Sequence, residues 1–170
     1  KNIKPEHAVK HPKWHMGKKI SIDSATLINK VFETLEAKKI FGIDINKIEI
    51  LIHPDSYVHA IVKFKNGLTK LLIHDTDMKI PIFNSIYLNG NKVLKSQSLD
   101  LSKINNLKFN KVNLNHFNSI KILKLFKNVK SSLYETVLVS ANDELVSQFL
   151  KNKISFLDIT KKLIMIMNLK

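Results

Sequence analysis

Between positions 11 and 33 the chain collects most of the side-chain types that chemistry on a small polar substrate requires. His11 and Trp14 come first, then the hydroxyls of Ser24 and Thr26, the amide of Asn29, the ammonium of Lys30 and the carboxylate of Glu33. Apolar residues at Leu27, Ile28, Val31, Phe32, Leu35 and Ile40 recur at helical spacing, and Gly42 can end the helix in the left-handed conformation. Asn29, Lys30 and Glu33 lie on the other face, where spacings of three and four bring Lys30 and Asn29 alongside Glu33. A helix start offers free N–H groups and the positive end of a dipole, so Ser24, Asn29 and Lys30 together suit a phosphate-sized anion. The same residues also fit a serine cap followed by a solvated polar face.

Elsewhere the candidate groups are sparser. His53 and His59 flank a turn and His74 ends the next strand, which is not a standard zinc spacing; each is expected as a hydrogen-bonded residue at a strand end. Residues 48–52, 57–64 and 68–73 are rich in β-branched side chains, and Lys65-Asn66-Gly67 joins the last two with a hairpin turn. An antiparallel meander is expected, its edges covered or paired with a second copy. Residues 1–20 read as a loop, and Ile20-Ser21-Ile22-Asp23-Ser24 alternates like a short strand before the helix. A short helix is expected after Pro81. Residues 88–118 read as a linker that clings to a surface, and residues 119–128, 133–150 and 156–167 return to helical periodicity.

The chain has 170 residues and a net charge of +14, from 28 basic against 14 acidic side chains, and every one of the cations is lysine. Base-specific readout leans on arginine, and the nine phenylalanines fall mostly at core-like periodic positions, so nucleic acid is not the expected partner despite the charge. With no cysteine there is no disulfide, thiolate metal site or cysteine nucleophile. No apolar run approaches the roughly 20 residues that a membrane span needs. Neither does the start of the chain look like a targeting segment, and the absence of an initiator methionine leads us to expect a start within a longer protein. A chain of this length forms one domain, or one domain and a smaller lobe.

One family brings these strings together in order. His11-Pro12-Lys13-Trp14-His15-Met16-Gly17-Lys18-Lys19-Ile20, continuing through Asp23-Ser24-Ala25-Thr26-Leu27-Ile28-Asn29-Lys30 to Glu33, resembles 1-deoxy-D-xylulose 5-phosphate reductoisomerase. Ile52-His53-Pro54-Asp55-Ser56-Tyr57-Val58-His59 and Asp77-Met78-Lys79-Ile80-Pro81-Ile82 resemble later blocks of the same family, and Ser140-Ala141-Asn142-Asp143-Glu144 and Phe156-Leu157-Asp158-Ile159 resemble its C-terminal helical region. The fold class this implies is α+β: a helix and an antiparallel β-meander in a catalytic portion (1–87), a linker (88–118) and a small all-α C-terminal region (119–170).

The resemblance implies an enzyme that isomerises 1-deoxy-D-xylulose 5-phosphate and reduces the product with NADPH to 2-C-methyl-D-erythritol 4-phosphate, with Mg2+ or Mn2+ as Lewis acid. It makes Glu33 a metal ligand, one of three acidic ones, and gives catalytic roles to Glu33, Lys30 and His59. Ser24, Asn29 and Lys30 would hold the substrate phosphate, with His11 beside them; Trp14 and Met16 would belong to a loop closing over the substrate; Ser56 and His59 would line the pocket; Gly17 and Met78 would lie near the cofactor. It also implies a homodimer in the cytoplasm, or in the plastid stroma of a eukaryote. The NADPH domain and two acidic ligands precede this stretch in the family, and none of the four glycines forms a dinucleotide fingerprint, so the expected chain is a C-terminal fragment inactive by itself. Val31 stands where the family has glycine and is expected to add bulk near the phosphate. That substitution favours the competing reading of a degenerate relative serving as a dimerisation module; a basic nucleic-acid-binding domain is the other alternative.

Overall fold

The computed structural model describes residues 3–9, 16–87, 92–127 and 132–169. His11 and Trp14 lie outside the described residues. The chain is α+β, and its contacts group it into two compact units: residues 1–50 with 112–170, and residues 51–111.

The first unit is helical. A single turn, α1 (Pro5–Ala8), is followed by α2 (Lys18–Thr26) and α3 (Ile28–Phe41), which ends at Gly42 with φ 61°, as its left-handed cap requires. The expected loop over residues 1–20 therefore already contains helix, and the expected strand at 20–24 is the middle of α2. Alternation misled here because Ile22 is fully buried while Ile20 is 54% exposed, so the two isoleucines face opposite sides of a helix instead of one side of a sheet. The helix is further held by Ser21 Oγ donating to Gly17 O at 3.0 Å and by a Lys19–Asp23 ion pair at 2.7 Å, one turn apart.

Later in the same unit come a 3-10 helix (Asn118–Phe126) and the last two helices of the chain, α6 (Ser132–Leu150) and α7 (Phe156–Met167). Ser155 and Asp158 cap α7 reciprocally, the serine hydroxyl accepting from the Asp158 N–H and the carboxylate from the Ser155 N–H. The core forms where Ile22, Ile28, Val31 and Leu35 meet Ile122, Phe126, Leu138, Val146, Phe149, Ile159 and Leu163. Val31 is fully buried in that core, because spacings of three and four place it in line with Ile28 and Leu35. Its side chain therefore packs away from the exposed Lys30 and Glu33.

Among the described residues the second unit holds two separate two-stranded sheets instead of a three-stranded meander. Strand β1 (Leu51–Ile52) pairs antiparallel with β4 (Asn110–Lys111), while β2 (Val58–Lys63) pairs with β3 (Thr69–Ile73). Asn66-Gly67 makes the expected hairpin, with Gly67 at φ 88° and the Leu68 N–H donating to Asn66 Oδ1. Between β3 and β4 lie α4 (Lys79–Ile86) and α5 (Leu101–Asn105). Pro81 sits within the first turn of α4 and not ahead of it, where its missing N–H leaves no helical bond unmade. The segment read as a linker therefore carries a helix and a strand, anchored by the Asp100 N–H donating to the buried Tyr57 hydroxyl at 3.3 Å.

Candidate functional site

The polar groups nominated on α2 and α3 are arranged by one backbone event. Leu27 takes a left-handed conformation (φ 57°, ψ 17°), closing α2 with its N–H on Ser24 O and opening α3 as its C=O accepts the Lys30 N–H, both at 3.1 Å. Ser24 therefore stands in the last turn of one helix, and Asn29, Lys30 and Glu33 in the opening turns of the next. Lys30 Nζ meets Glu33 Oε2 at 2.8 Å, and Asn29 Nδ2 lies 3.5 Å from Glu33 Oε1. The Lys30 and Glu33 side chains are 40% and 53% exposed, so their pair adds little stability and leaves both charges open to a ligand. Asn29 Oδ1 is buried without a hydrogen-bond partner. Three complementary groups thus sit on one exposed face at a helix start, the geometry suited to holding an anion beside a carboxylate.

Two side chains from the later helices grip the turn that precedes this face. Asp23, 4% exposed, receives Asn142 Nδ2 of α6 at 2.9 Å and the Lys19 ammonium at 2.7 Å, and Lys19 also reaches Asp143 at 3.0 Å. Burial alone pulls the Lys19 pKa down, but its bonds to Asp23 and Asp143 outweigh this and hold it above the usual value. The buried Ser119 hydroxyl donates to Thr26 O. Sequence reading nominated none of Lys19, Asp23, Ser119 or Asn142. The one signal within reach was Asn142 itself, an amide at helical spacing between Leu138 and Leu145 where the period demands an apolar side chain.

Of the remaining nominated residues, Met16 is half-buried and Gly17 is exposed as the N-cap of α2. Ser56, His59 and Met78 belong to the second unit. Ser56 has a positive φ of 50° in a turn closed by its N–H on His53 O. His59 Nε2 donates to His74 O at 3.0 Å, and the two imidazoles stack at 3.6 Å between centroids and 9° between planes. His53 Nδ1 donates to Lys108 O at 2.8 Å and its ring lies against Phe109, so the histidines bond at strand ends as expected. Met78 is half exposed at the start of α4. An open apolar cleft of about 420 Å³, lined by Phe32, Leu35, Ile40, Leu138 and Val139, includes none of the nominated residues.

For a divalent metal the donor chemistry on α3 is suitable but incomplete. Glu33 offers a hard, exposed carboxylate suited to Mg2+ or Mn2+. Among the described residues no group of three or more His, Asp or Glu gathers to complete a metal shell. Glu33 fits as one ligand of a larger set.

Residues 73–170 match the family described as the DXP reductoisomerase C-terminal domain, and residues 1–41 match the 1-deoxy-D-xylulose 5-phosphate reductoisomerase C-terminal domain. The chain belongs to the 1-deoxy-D-xylulose 5-phosphate reductoisomerase family. The reductoisomerase of Pelagibacter ubique is 59% identical over 168 residues, covering 99% of this chain and 43% of that relative. Among solved structures, the reductoisomerase from Zymomonas mobilis in complex with NADPH superposes with a TM-score of 0.84 at 34% identity, over 98% of this chain and 42% of that one. A reductoisomerase crystallised with NADPH, fosmidomycin and magnesium gives 0.82 at 32% identity, over 99% and 41%. The 170 residues thus span about two fifths of the reductoisomerases they match. Ser24, Asn29, Lys30 and Glu33 lie inside the first family match, while Ser56 and His59 fall between the two matches.

Proposed function

We propose that these residues form the substrate-phosphate and metal-facing part of an enzyme converting 1-deoxy-D-xylulose 5-phosphate to 2-C-methyl-D-erythritol 4-phosphate with NADPH. The observation that carries this is the junction at Leu27, which sets Ser24 at the end of α2 and Asn29, Lys30 and Glu33 on the opening turns of α3. The phosphate end of the substrate is held by the Ser24 hydroxyl, the Asn29 amide and the Lys30 ammonium, with the α3 N–H groups adding to the positive potential. Anion binding draws Lys30 from Glu33, leaving the carboxylate for the metal. When bound, Mg2+ or Mn2+ polarises the substrate's carbonyl and hydroxyl oxygens. Glu33 is one of its ligands, and the other two acidic ligands implied by the family lie outside this stretch.

His11, Trp14 and Met16 complete the substrate side, the last two as parts of a closing loop that excludes water. Ser56 and His59 line the pocket, the His59 ring oriented by its bond to His74 O, and Gly17 and Met78 face NADPH. In domain terms, residues 1–87 serve the catalytic domain and residues 119–170 the C-terminal helical domain. Val31, the substitution behind the competing reading of a degenerate relative, packs in the helical core. The partner of the second unit is a second copy of the chain, since the two faces of the β2–β3 hairpin expose Ile61, Val62, Leu71 and Leu72. No described helix is long and apolar enough to cross a membrane; cytoplasm is the compartment we assign, with a sugar phosphate and not nucleic acid as partner.

The test separates the piece from the whole. The purified 170 residues should show no substrate-dependent NADPH oxidation under conditions in which the full-length protein turns over. Robust turnover by the 170 residues would overturn the assignment of the cofactor site and two metal ligands to other parts of the protein.

A further inference from the structure

We propose that Asn142 and Ser119, from the C-terminal helical segment, are positioning residues for the phosphate end of the substrate; this rests on the phosphate-binding role proposed for Ser24, Asn29 and Lys30. Ser24 lies between the two gripped positions, Asp23 held by Asn142 Nδ2 at 2.9 Å and Thr26 O held by the Ser119 hydroxyl. The very next residue, Leu27, is left-handed without being glycine. Such a conformation persists only where the surroundings over-determine it, and these two bonds are the side-chain contacts that reach the turn from residues 119 and 142.

All the gripping groups are buried: Asp23 at 4%, Ser119 at 1% and Asn142 at 0% exposure. Asn142 occupies a core position of α6 between Leu138 and Val146 and leaves its own Oδ1 without a partner. An apolar residue would serve packing better there, because a buried unpaired amide oxygen is costly. What the amide supplies and a leucine cannot is a directed hydrogen bond to Asp23, one residue before Ser24. Lys19 makes the second bond to the same carboxylate, with Asp143 of α6 on its far side, so α6 fixes the angle at which α2 delivers Ser24 to the start of α3.

The experiment uses the full-length enzyme with inorganic phosphate as a competitive probe. Asn142→Ala and Ser119→Ala should each raise the KM for the sugar phosphate and the inhibition constant of phosphate together, by about tenfold, with the KM for NADPH unchanged. The exchange Asp23→Asn with Asn142→Asp rebuilds an amide-to-carboxylate bond but not the Lys19 ion pair with position 23, and should recover part of that loss relative to either single change. If the melting temperature falls while KM and phosphate inhibition stay at wild-type values, the bonds serve stability alone and the proposal fails. Ser119→Ala removes a single hydroxyl and keeps the test open should Asn142→Ala not fold. Ser24→Ala separates the two levels: if it weakens phosphate inhibition and the Asn142 and Ser119 variants do not, only the positioning role is refuted. If Ser24→Ala also leaves inhibition unchanged, the phosphate assignment falls and takes the positioning role with it.

Discussion

Glu33 has two oxygens with different company, Oε2 on the Lys30 ammonium at 2.8 Å and Oε1 at 3.5 Å from the Asn29 amide. An exposed carboxylate so loosely held exchanges partners easily, which is what a metal ligand beside an anion site must do. In the full-length enzyme Glu33→Gln keeps the shape and removes the charge. It should lower kcat at saturating Mg2+ by at least about 100-fold, as loss of a direct ligand exceeds the effect of an outer one; wild-type activity in a metal titration would contradict the role. These three residues were legible in the sequence because their contacts run over one turn of helix, where spacing alone decides who meets whom. The grip on Asp23 was not. Asp23 and Asn142 are separated by 119 positions, and no local pattern reports a hydrogen bond between distant helices.

At the scale of elements, α3, α6 and α7 follow their apolar periodicity because each buries one continuous stripe in the same core. The text of α2 is ambiguous, since five residues alternating apolar and polar fit either period until tertiary burial chooses Ile22 over Ile20. The pairing of β1 with β4 was equally hidden, because two-residue strands carry too little pattern to name a partner. The capping box of α7, by contrast, makes a measurable claim. Hydrogen bonds from the Ser155 side chain and backbone hold the Asp158 carboxyl below its ordinary value of 3.8. A lowered folded pKa means that its stabilisation is complete above that ordinary value and disappears as pH falls through the folded one. Asp158→Asn should therefore lower the melting temperature at pH 7, and the gap to wild type should close in acid below pH 3.8. Thermal unfolding at both pH values checks this, and a gap independent of pH would refute it.

For the molecule as a whole, the net charge of +14 is carried by lysine alone, and Lys30 is one that the fold sets beside an exposed carboxylate on the opening turn of a long helix. The second unit makes a different demand. Its hairpin leaves Leu72 59% and Val62 48% exposed, and β2 and β3 pair only with each other among the described residues. Apolar strands open at their edges seek a partner. Sedimentation of the full-length protein should give a dimer, and Leu72→Lys should shift it towards monomer; a wild-type monomer at assay concentration would contradict the second-copy assignment. The central claim, that the α2–α3 junction holds the phosphate of a sugar phosphate, is tested most directly by a crystal structure of the full-length enzyme with its substrate and Mg2+. The phosphate should lie within hydrogen-bond distance of Ser24 Oγ, the Asn29 amide and Lys30 Nζ, with Lys30 turned away from Glu33. A phosphate bound elsewhere, with the Lys30–Glu33 pair intact, would contradict it.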